Sequence, residues 1–140
     1  MIPVTYLTAE EILALHEISI NEFGGSRGIR DVGLLESAAY QPRQGFGGVE
    51  LYPEIRDKAS ALGYSISENQ PFIDGNKRTA ALSMLVFLDI NGYQVSVPRG
   101  AIHQIMVKVA NKRCSRQELA DWLKKNSKPV KGSRRAPTEG

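Results

Sequence analysis

Apolar side chains recur every three or four positions along most of the chain, which is the spacing of helices that bury one face. Two capping boxes mark helix starts, one formed by Thr8 and Glu11 and one by Ser115 and Glu118. The first of these helices is expected to end before Gly24. Further helices are predicted after Asp31, over 52–69, over 80–90 and around 102–109. The pattern therefore predicts an all-α fold.

Three segments refine this prediction. Residues 80–90 are apolar on all sides, which is typical of the buried central helix of a bundle. Residues 43–51 are rich in glycine and contain the large apolar side chains Phe46 and Leu51, so they predict a flap or a short β-hairpin. Residues 95–97 are expected to form a brief extended link.

Length and composition narrow the class of protein. The 140 residues, 41% of them hydrophobic, suffice for one globular domain with a substantial core. The single cysteine, Cys114, excludes a disulfide framework and favours a reducing, cytoplasmic location. We find no secretory signal, and the apolar run at 80–90 is shorter than the about 20 residues that a membrane span requires. No membrane association is expected.

The formal net charge of +3 raises the question of nucleic-acid binding, but the basic residues are unevenly placed. Residues 1–125 carry 14 Lys or Arg and 14 Asp or Glu, whereas residues 126–140 carry four basic residues and one acidic residue. We therefore predict a domain at 1–125 and a basic tail at 126–140, disordered because it has almost no apolar side chains. A solubilising or vector-derived extension is favoured over RNA binding for this tail.

The candidate chemistry lies in residues 70–81, which read Gln-Pro-Phe-Ile-Asp-Gly-Asn-Lys-Arg-Thr-Ala-Ala. A turn of this composition before an apolar helix suits phosphate, because the first amides of a helix lack intrahelical acceptors. Gly75 permits a tight backbone, Lys77 and Arg78 add charge, and Asp74 could hold a divalent metal. The alternative is a solvated turn in which Asp74 caps the helix. Two cations at a helix start are unfavourable without an anion, which favours the phosphate site.

The same run resembles the signature of the Fic/Doc family, His-Pro-Phe-x-(Asp/Glu)-Gly-Asn-(Gly/Lys)-Arg. Lys77, together with Thr79-Ala80-Ala81, is similar to the Doc branch. The resemblance covers about residues 5–125 and implies the Fic/Doc-type helical bundle around a buried central helix, with a short hairpin flap. The other matching segments lie at 6–11, 23–25, 28–31, 33–38 and 88–93. One position departs from the family: Gln70 stands where the catalytic histidine is found.

The resemblance implies a role for each motif residue by its position. Gln70 occupies the position of the catalytic base, and Asp74 approaches the Mg²⁺ that accompanies ATP. Lys77 and Arg78 complete the catalytic set through contacts to the phosphates. The implied nucleotide- and phosphate-binding residues are Gly75, Asn76, Lys77 and Arg78.

The Doc branch is known for ATP-dependent phosphorylation of a threonine of elongation factor Tu, which blocks translation, whereas most Fic enzymes transfer AMP. AMP-transferring members carry a second arginine where this chain has Ala81, so the resemblance favours phosphoryl transfer. The self-inhibitory Ser/Thr-x-x-x-Glu-Gly/Asn motif of other Fic proteins is absent from the sequence, which implies restraint by a Phd-like antitoxin. Nucleic acid is expected only through that antitoxin or the basic tail. A non-catalytic protein that binds nucleotide or antitoxin, and a Fic-type AMP transferase, are the alternatives.

Gln70 makes catalytic competence the central question. A glutamine amide does not take up a proton near neutral pH, and general-base catalysis typically contributes about 10²–10⁴-fold. His16 and His103, the two histidines, are expected to be structural, so we find no convincing replacement base. The chain is expected to be an inactive or weakened enzyme. Either an active toxin was altered for production, which the intact remainder of the motif favours, or the protein is a naturally degenerate member.

Overall fold

Six α-helices make up most of residues 3–130, the part of the chain that the computed structural model describes. They are α1 (Ala9–Phe23), α2 (Val32–Tyr40), α3 (Ile55–Asn69), α4 (Asn76–Ile90), α5 (Ala101–Ala110) and α6 (Arg116–Asn126). A 3₁₀ turn (Gln41–Arg43) and the short strands β1 (Gly45–Phe46), β2 (Val49–Glu50), β3 (Tyr93–Val95) and β4 (Ser127–Pro129) complete the fold. The predicted helical bundle with a short hairpin is confirmed. No helix within these residues is long and apolar enough to cross a membrane.

The starts of α1, α2 and α6 follow local sequence signals, because in each the side chain of the preceding residue caps the helix. The Thr8 hydroxyl accepts a hydrogen bond from the Glu11 N–H at 3.1 Å, and the Glu11 carboxylate accepts one from the Thr8 N–H at 2.9 Å. The capping box at Ser115 is formed in the same way. Two starts differ from the prediction: α4 begins at Asn76 and not at residue 80, and α3 begins at Ile55 and not at residue 52. Pro53 contributes to the later start of α3, because a proline disfavours helical backbone at the residue before it.

The most enclosed helix is α3, so the prediction that residues 80–90 form the buried centre was wrong in this detail. Ten of the 15 residues of α3 are buried, against six of the 15 in α4. Leu82 and Leu85 of α4 stay half-buried and line an open cavity. The hydrophobic pattern did not predict the burial of α3, because this helix packs largely through small, weakly hydrophobic residues. A Cβ on Gly63 would approach the sulfur of Met84 to 2.9 Å, so only glycine permits this close contact between α3 and α4.

The glycine-rich segment forms the predicted hairpin, in which Gly45 pairs with Glu50 and Phe46 with Val49. A buried charge ties the hairpin to the bundle. The Lys58 side chain on α3 is fully buried, and its Nζ donates to Glu50 Oε1 at 2.8 Å and to the Tyr52 carbonyl oxygen. A buried ammonium group requires such partners, so this ion pair fixes the base of the hairpin against α3. The Phe46 ring, by contrast, is 92% exposed.

Regular structure continues for a few residues past the boundary predicted at residue 125, through the end of α6 and strand β4. Strand β4 pairs antiparallel with β3, and the Val130 N–H donates to the Gly92 carbonyl at 2.8 Å. These contacts are made by backbone groups, which leave no apolar pattern in the sequence. The remainder of the predicted tail, residues 131–140, lies outside the described residues.

Truncation provides a test of this revised boundary. A chain that ends at Asn126 lacks β4 and loses its backbone hydrogen bonds to β3, each with a net contribution of about 0.5–1.5 kcal/mol. We expect its free energy of unfolding, measured by urea denaturation, to fall by about 1–3 kcal/mol. A chain that ends at Val130 keeps the strand pair and serves as the control. Equal stability of the two truncated chains would show that β4 does not support the domain.

Candidate active site

The sequence motif forms the turn between the end of α3 and the start of α4. Gly75, the residue before α4, has φ +74° and provides no side-chain cap. The first intrahelical bond runs from the Thr79 N–H to the Gly75 carbonyl at 3.0 Å. The preceding helical amides, those of residues 76–78, have no acceptor within the helix and are available to an anion.

The side chain of Asn76 holds this turn in shape. Its Nδ2 donates to the Phe72 carbonyl oxygen at 3.0 Å, and its Oδ1 accepts from the Phe72 N–H at 3.0 Å. Phe72 is itself buried in the core. Asn76 therefore fixes the geometry of the turn, and both polar atoms of its side chain are already bonded to the backbone of Phe72.

The Asp74 carboxylate is exposed and accepts two backbone hydrogen bonds, from Ser26 N–H at 3.0 Å and from Gly75 N–H at 2.8 Å. These two bonds hold the pKa of the Asp74 carboxyl below its ordinary value, and the positive charge of Arg78 adds to the effect. The Asp74 side chain does not cap α4, which argues against the alternative of a solvated turn with a capping aspartate. An ionised carboxylate retains further lone pairs for a cation, so Asp74 fits a metal ligand.

Magnesium at this position would need ligands from the nucleotide. No cluster of three or more His, Cys, Asp or Glu side chains able to hold a metal occurs within residues 3–130. Mg²⁺ is usually bound through one or two carboxylates together with substrate phosphates. A single aspartate is therefore sufficient as the protein ligand if a nucleotide supplies the phosphates.

The two cations predicted to contact phosphate lie side by side at the start of α4 but differ in their surroundings. Lys77 is exposed. Arg78 is half-buried, donates from Nη2 to the Gly24 carbonyl at 2.8 Å and lies 5.6 Å from the centre of the Phe23 ring. The Arg78 guanidinium is thus held at a fixed place beside the turn, whereas the Lys77 ammonium is left to solvent or to a ligand.

Gln70 has an unusual backbone conformation at the end of α3. It is exposed and left-handed, with φ 47° and ψ 59°, and its N–H donates to the Ile66 carbonyl at 3.0 Å. The Arg30 guanidinium donates to the Gln70 carbonyl at 2.8 Å and to the Asn69 carbonyl at 2.6 Å. Gln70 is therefore held in place through its main chain.

Sequence reasoning missed the segment that supports the motif from outside. Residues 26–31 run antiparallel to the motif: Ile29 pairs with Phe72, and the Ile73 N–H donates to the Gly28 carbonyl at 3.1 Å. The matching family segment at 28–31 marked this region as related. Nothing in its residue types indicated that it contacts the motif.

The two histidines have different surroundings. His16 is fully buried, its ring stacks on Phe72 with centroids 3.9 Å apart, and its Nε2 lies 2.8 Å from the Asp74 carbonyl oxygen. Its role is structural, as predicted, although it lies directly beneath the motif. His103 was also expected to be structural, but it is exposed on α5 and lines a cavity together with Lys77. The Glu68 carboxylate is engaged by the Lys112 ammonium.

An apolar cavity of about 300 Å³ adjoins the two cations, between α1, α4 and α5. The side of α4 that follows Lys77 and Arg78 remains open here instead of packing into the core. The apolar lining consists of Phe23, Ala81, Leu82, Leu85, Ile102 and Met106.

Acid sensitivity provides a test of the Asp74 environment. The lowered pKa means that the folded protein favours the charged form of Asp74. This preference stabilises the fold above the pKa of the unfolded carboxyl. The stabilisation is lost as the pH falls through the lowered pKa of the folded protein. We expect Asp74→Asn to lose less unfolding free energy than the parent chain between about pH 5 and pH 2, as measured by urea denaturation. Asp89→Asn, on the exposed end of α4, is the matched control. Equal acid sensitivity of the parent chain and both variants would contradict the inferred environment.

Comparison with known proteins agrees with the motif. The model of the Fic/DOC family matches residues 6–88. The toxin Doc of Mycolicibacterium smegmatis is 38% identical over 120 residues, which cover 84% of this chain and 90% of the toxin. The protein kinase doc of Escherichia phage P1 is 30% identical over 120 residues, which cover 86% of this chain and 94% of the kinase. The family predicted from the motif is thus confirmed, and the chain belongs to the Fic/Doc family.

Proposed function

We propose that this chain is a Doc-type toxin of a toxin–antitoxin pair, built to transfer the terminal phosphoryl group of ATP to a threonine hydroxyl of elongation factor Tu. The observation that carries the proposal is the uncapped start of α4, where free amides, Lys77 and Arg78 lie beside the ionised Asp74. Similar proteins named toxin Doc and protein kinase doc support the same reading. A toxin that blocks translation acts in the cytoplasm, which agrees with the single cysteine of the chain.

The proposed division of labour follows the chemistry of the turn. Phosphoryl transfer requires the phosphates to be held, their charge neutralised and the attacking hydroxyl aligned. The amides of residues 76–78, with Lys77 and Arg78, would hold the phosphates of ATP. Asp74 would hold Mg²⁺, which neutralises developing negative charge on the phosphate oxygens.

Gln70 is the one proposed site residue whose chemistry does not support full catalytic activity. Its amide can orient a hydroxyl through hydrogen bonds but does not remove the proton. The buried His16 gives no substitute, and the Glu68 carboxylate is already paired. We infer that binding of ATP and of partners persists while turnover is lowered by about 10²–10⁴-fold.

Ala81 bears on the choice between phosphoryl and AMP transfer. It lies in the wall of the apolar cavity and provides no cation at the place where AMP-transferring relatives carry their second arginine. Its position favours phosphoryl transfer. A non-catalytic role in binding nucleotide or antitoxin remains the second candidate, and Gln70 is the observation in its favour.

The apolar cavity beside the cations is the proposed seat of the antitoxin. Leu82 and Leu85 leave an apolar stripe of α4 uncovered, and such a stripe suits the apolar face of a partner helix. A Phd-like antitoxin segment that folds there would cover the stripe and lie next to Lys77 and Arg78.

Restoring the base tests the proposed reaction. We expect Gln70→His to raise phosphate transfer from radiolabelled ATP to elongation factor Tu by about 10²–10⁴-fold over the parent chain, because the imidazole takes up the hydroxyl proton. Intact mass of the target separates the alternatives, since phosphate adds about 80 Da and AMP about 329 Da to the accepting protein.

The parent chain is the control for this assay, and calorimetric titration with Mg²⁺ and ATP shows whether both proteins bind nucleotide. A target that gains AMP would replace the kinase proposal with AMP transfer. An unmodified target with both proteins that still bind ATP would favour the non-catalytic role.

A charge in the cavity tests the proposed antitoxin seat. We expect Leu85→Arg to weaken binding of a Phd-like antitoxin by about 100-fold or more, because a buried, unpaired charge costs several kcal/mol. Ile90→Arg, at the exposed end of the same helix and outside the cavity, is the matched control. Calorimetric titration measures both. Equal affinities of the two variants would place the antitoxin elsewhere.

A further inference from the structure

Three consecutive carbonyl groups around position 70 all accept hydrogen bonds from one residue, Arg30. Its Nη2 donates to the Asn69 carbonyl at 2.6 Å, its Nε to the Gln70 carbonyl at 2.8 Å and its backbone N–H to the Pro71 carbonyl at 2.7 Å. Arg30 lies 39 to 41 positions away in sequence and is exposed at the surface. No other side chain in residues 3–130 donates to the carbonyls of residues 69 and 70.

Position 70 needs such support because its conformation is unfavourable for most residues. Gln70 and Lys112 are the two non-glycine residues with positive φ in the described chain. A left-handed residue with a Cβ costs roughly 1–2 kcal/mol, and glycine usually fills this place after a helix. The direction in which the side chain leaves the backbone depends on φ and ψ, so whatever fixes the backbone here also aims the side chain at position 70.

The guanidinium suits this task for two reasons. Its fork presents several N–H groups in fixed geometry, so a single side chain can satisfy two neighbouring carbonyls at once. Its charge also lies at the negative end of α3, where the last carbonyl groups of a helix favour a cation. The Asp31 N–H adds a further bond to the Pro71 carbonyl at 3.1 Å.

A neighbouring arginine on the same loop makes no such contacts. Arg27 is exposed, as Arg30 is, and its guanidinium donates to the Asn21 side chain at the end of α1. The two arginines share side-chain type, exposure and loop, and they differ in contact with the motif. Arg27 is therefore a matched control.

We propose that Arg30 is a positioning residue, which holds position 70 in its left-handed conformation and so aims the side chain of the catalytic position at the attacking hydroxyl. The catalytic part of this inference rests on the proposed phosphoryl transfer. The conformational part does not, because it concerns the backbone of the chain as it stands.

The catalytic part is tested in the Gln70→His background, with steady-state kinetics on ATP and elongation factor Tu. We expect Arg30→Ala to lower kcat by about 10–100-fold with KM for ATP within about 2-fold, because misplacement of a reacting group acts on the chemical step. Arg27→Ala should stay within about 2-fold in both constants, as surface substitutions usually do. Arg30→Lys, which keeps the charge but not the fork, should fall between them.

Two kinetic outcomes would overturn the proposal. If Arg30→Ala raised KM for ATP as much as it lowered kcat/KM, Arg30 would be a phosphate contact and not a positioning residue. If Arg30→Ala and Arg27→Ala lowered kcat equally, the loss of kcat would come from the reduced positive charge of the loop and not from the contacts of Arg30 with the motif.

The conformational part is tested in the parent chain by hydrogen exchange and NMR of the Gln70 amide. We expect Arg30→Ala to speed exchange of this amide by about 10-fold or more and to move the Cα and Cβ shifts of Gln70 away from left-handed values, with global unfolding little changed. Arg27→Ala should leave the exchange rate of the Gln70 amide and the Gln70 chemical shifts unchanged. An unaltered Gln70 amide in Arg30→Ala would refute the inference, even if Gln70→His proves inactive and the proposed function fails.

Discussion

The candidate site depends on one constraint, the antiparallel contact of residues 26–31 with the turn between α3 and α4. The turn combines a left-handed Gln70, a proline and an uncapped helix start, and such a combination is not stable as an isolated peptide. The neighbouring segment supplies what the turn lacks. Arg30 satisfies the carbonyl groups at the end of α3, and Ser26 fixes the Asp74 carboxylate. The free amides of α4 can then remain open without loss of the local geometry.

The same turn is anchored from beneath by the hydrophobic core. The Phe72 ring is buried against the flat face of His16, and Asn76 bonds both backbone groups of Phe72. His16 also reaches the Asp74 carbonyl. Core packing and site geometry therefore share residues, so a substitution that loosens Phe72 or His16 is expected to disturb both. If the turn binds phosphate, as proposed, its backbone is already held in shape by these contacts, which lowers the cost of binding.

The helix that carries the two cations, α4, is also open to a cavity on one side. Lys77 and Arg78 open α4, and the half-buried Leu82 and Leu85 follow on the wall of the cavity. Polar groups for an anion and an apolar stripe for a partner thus lie on one rigid element. This arrangement explains how a bound antitoxin segment, as proposed, would act on the phosphate site without a long-range conformational change. The hairpin is fixed independently, through the buried Lys58.

Local features of the fold could be predicted from the sequence because their causes lie within a few residues. Both capping boxes form between residues three positions apart, and the motif turn is contiguous in the chain. The family signature likewise placed Asp74, Lys77 and Arg78 around the start of one helix, where the structure has them. Apolar spacing predicted the helices, but it predicted more burial for α4 than for α3. The structure shows the reverse, because small residues that permit close packing carry little hydrophobic signal.

Only the tertiary structure decided which distant residues meet. Arg30 reaches Gln70, Ser26 reaches Asp74 and β4 pairs with β3 across long separations in sequence. Each of these contacts has a backbone group on at least one side. Nearly all residue types offer the same backbone groups, so residue identity on that side does not reveal the contact. The sequence by itself determined the helices and the family motif. The folded chain alone determined how position 70 is held and which face of α4 stays open, because both depend on the path of the backbone between the elements.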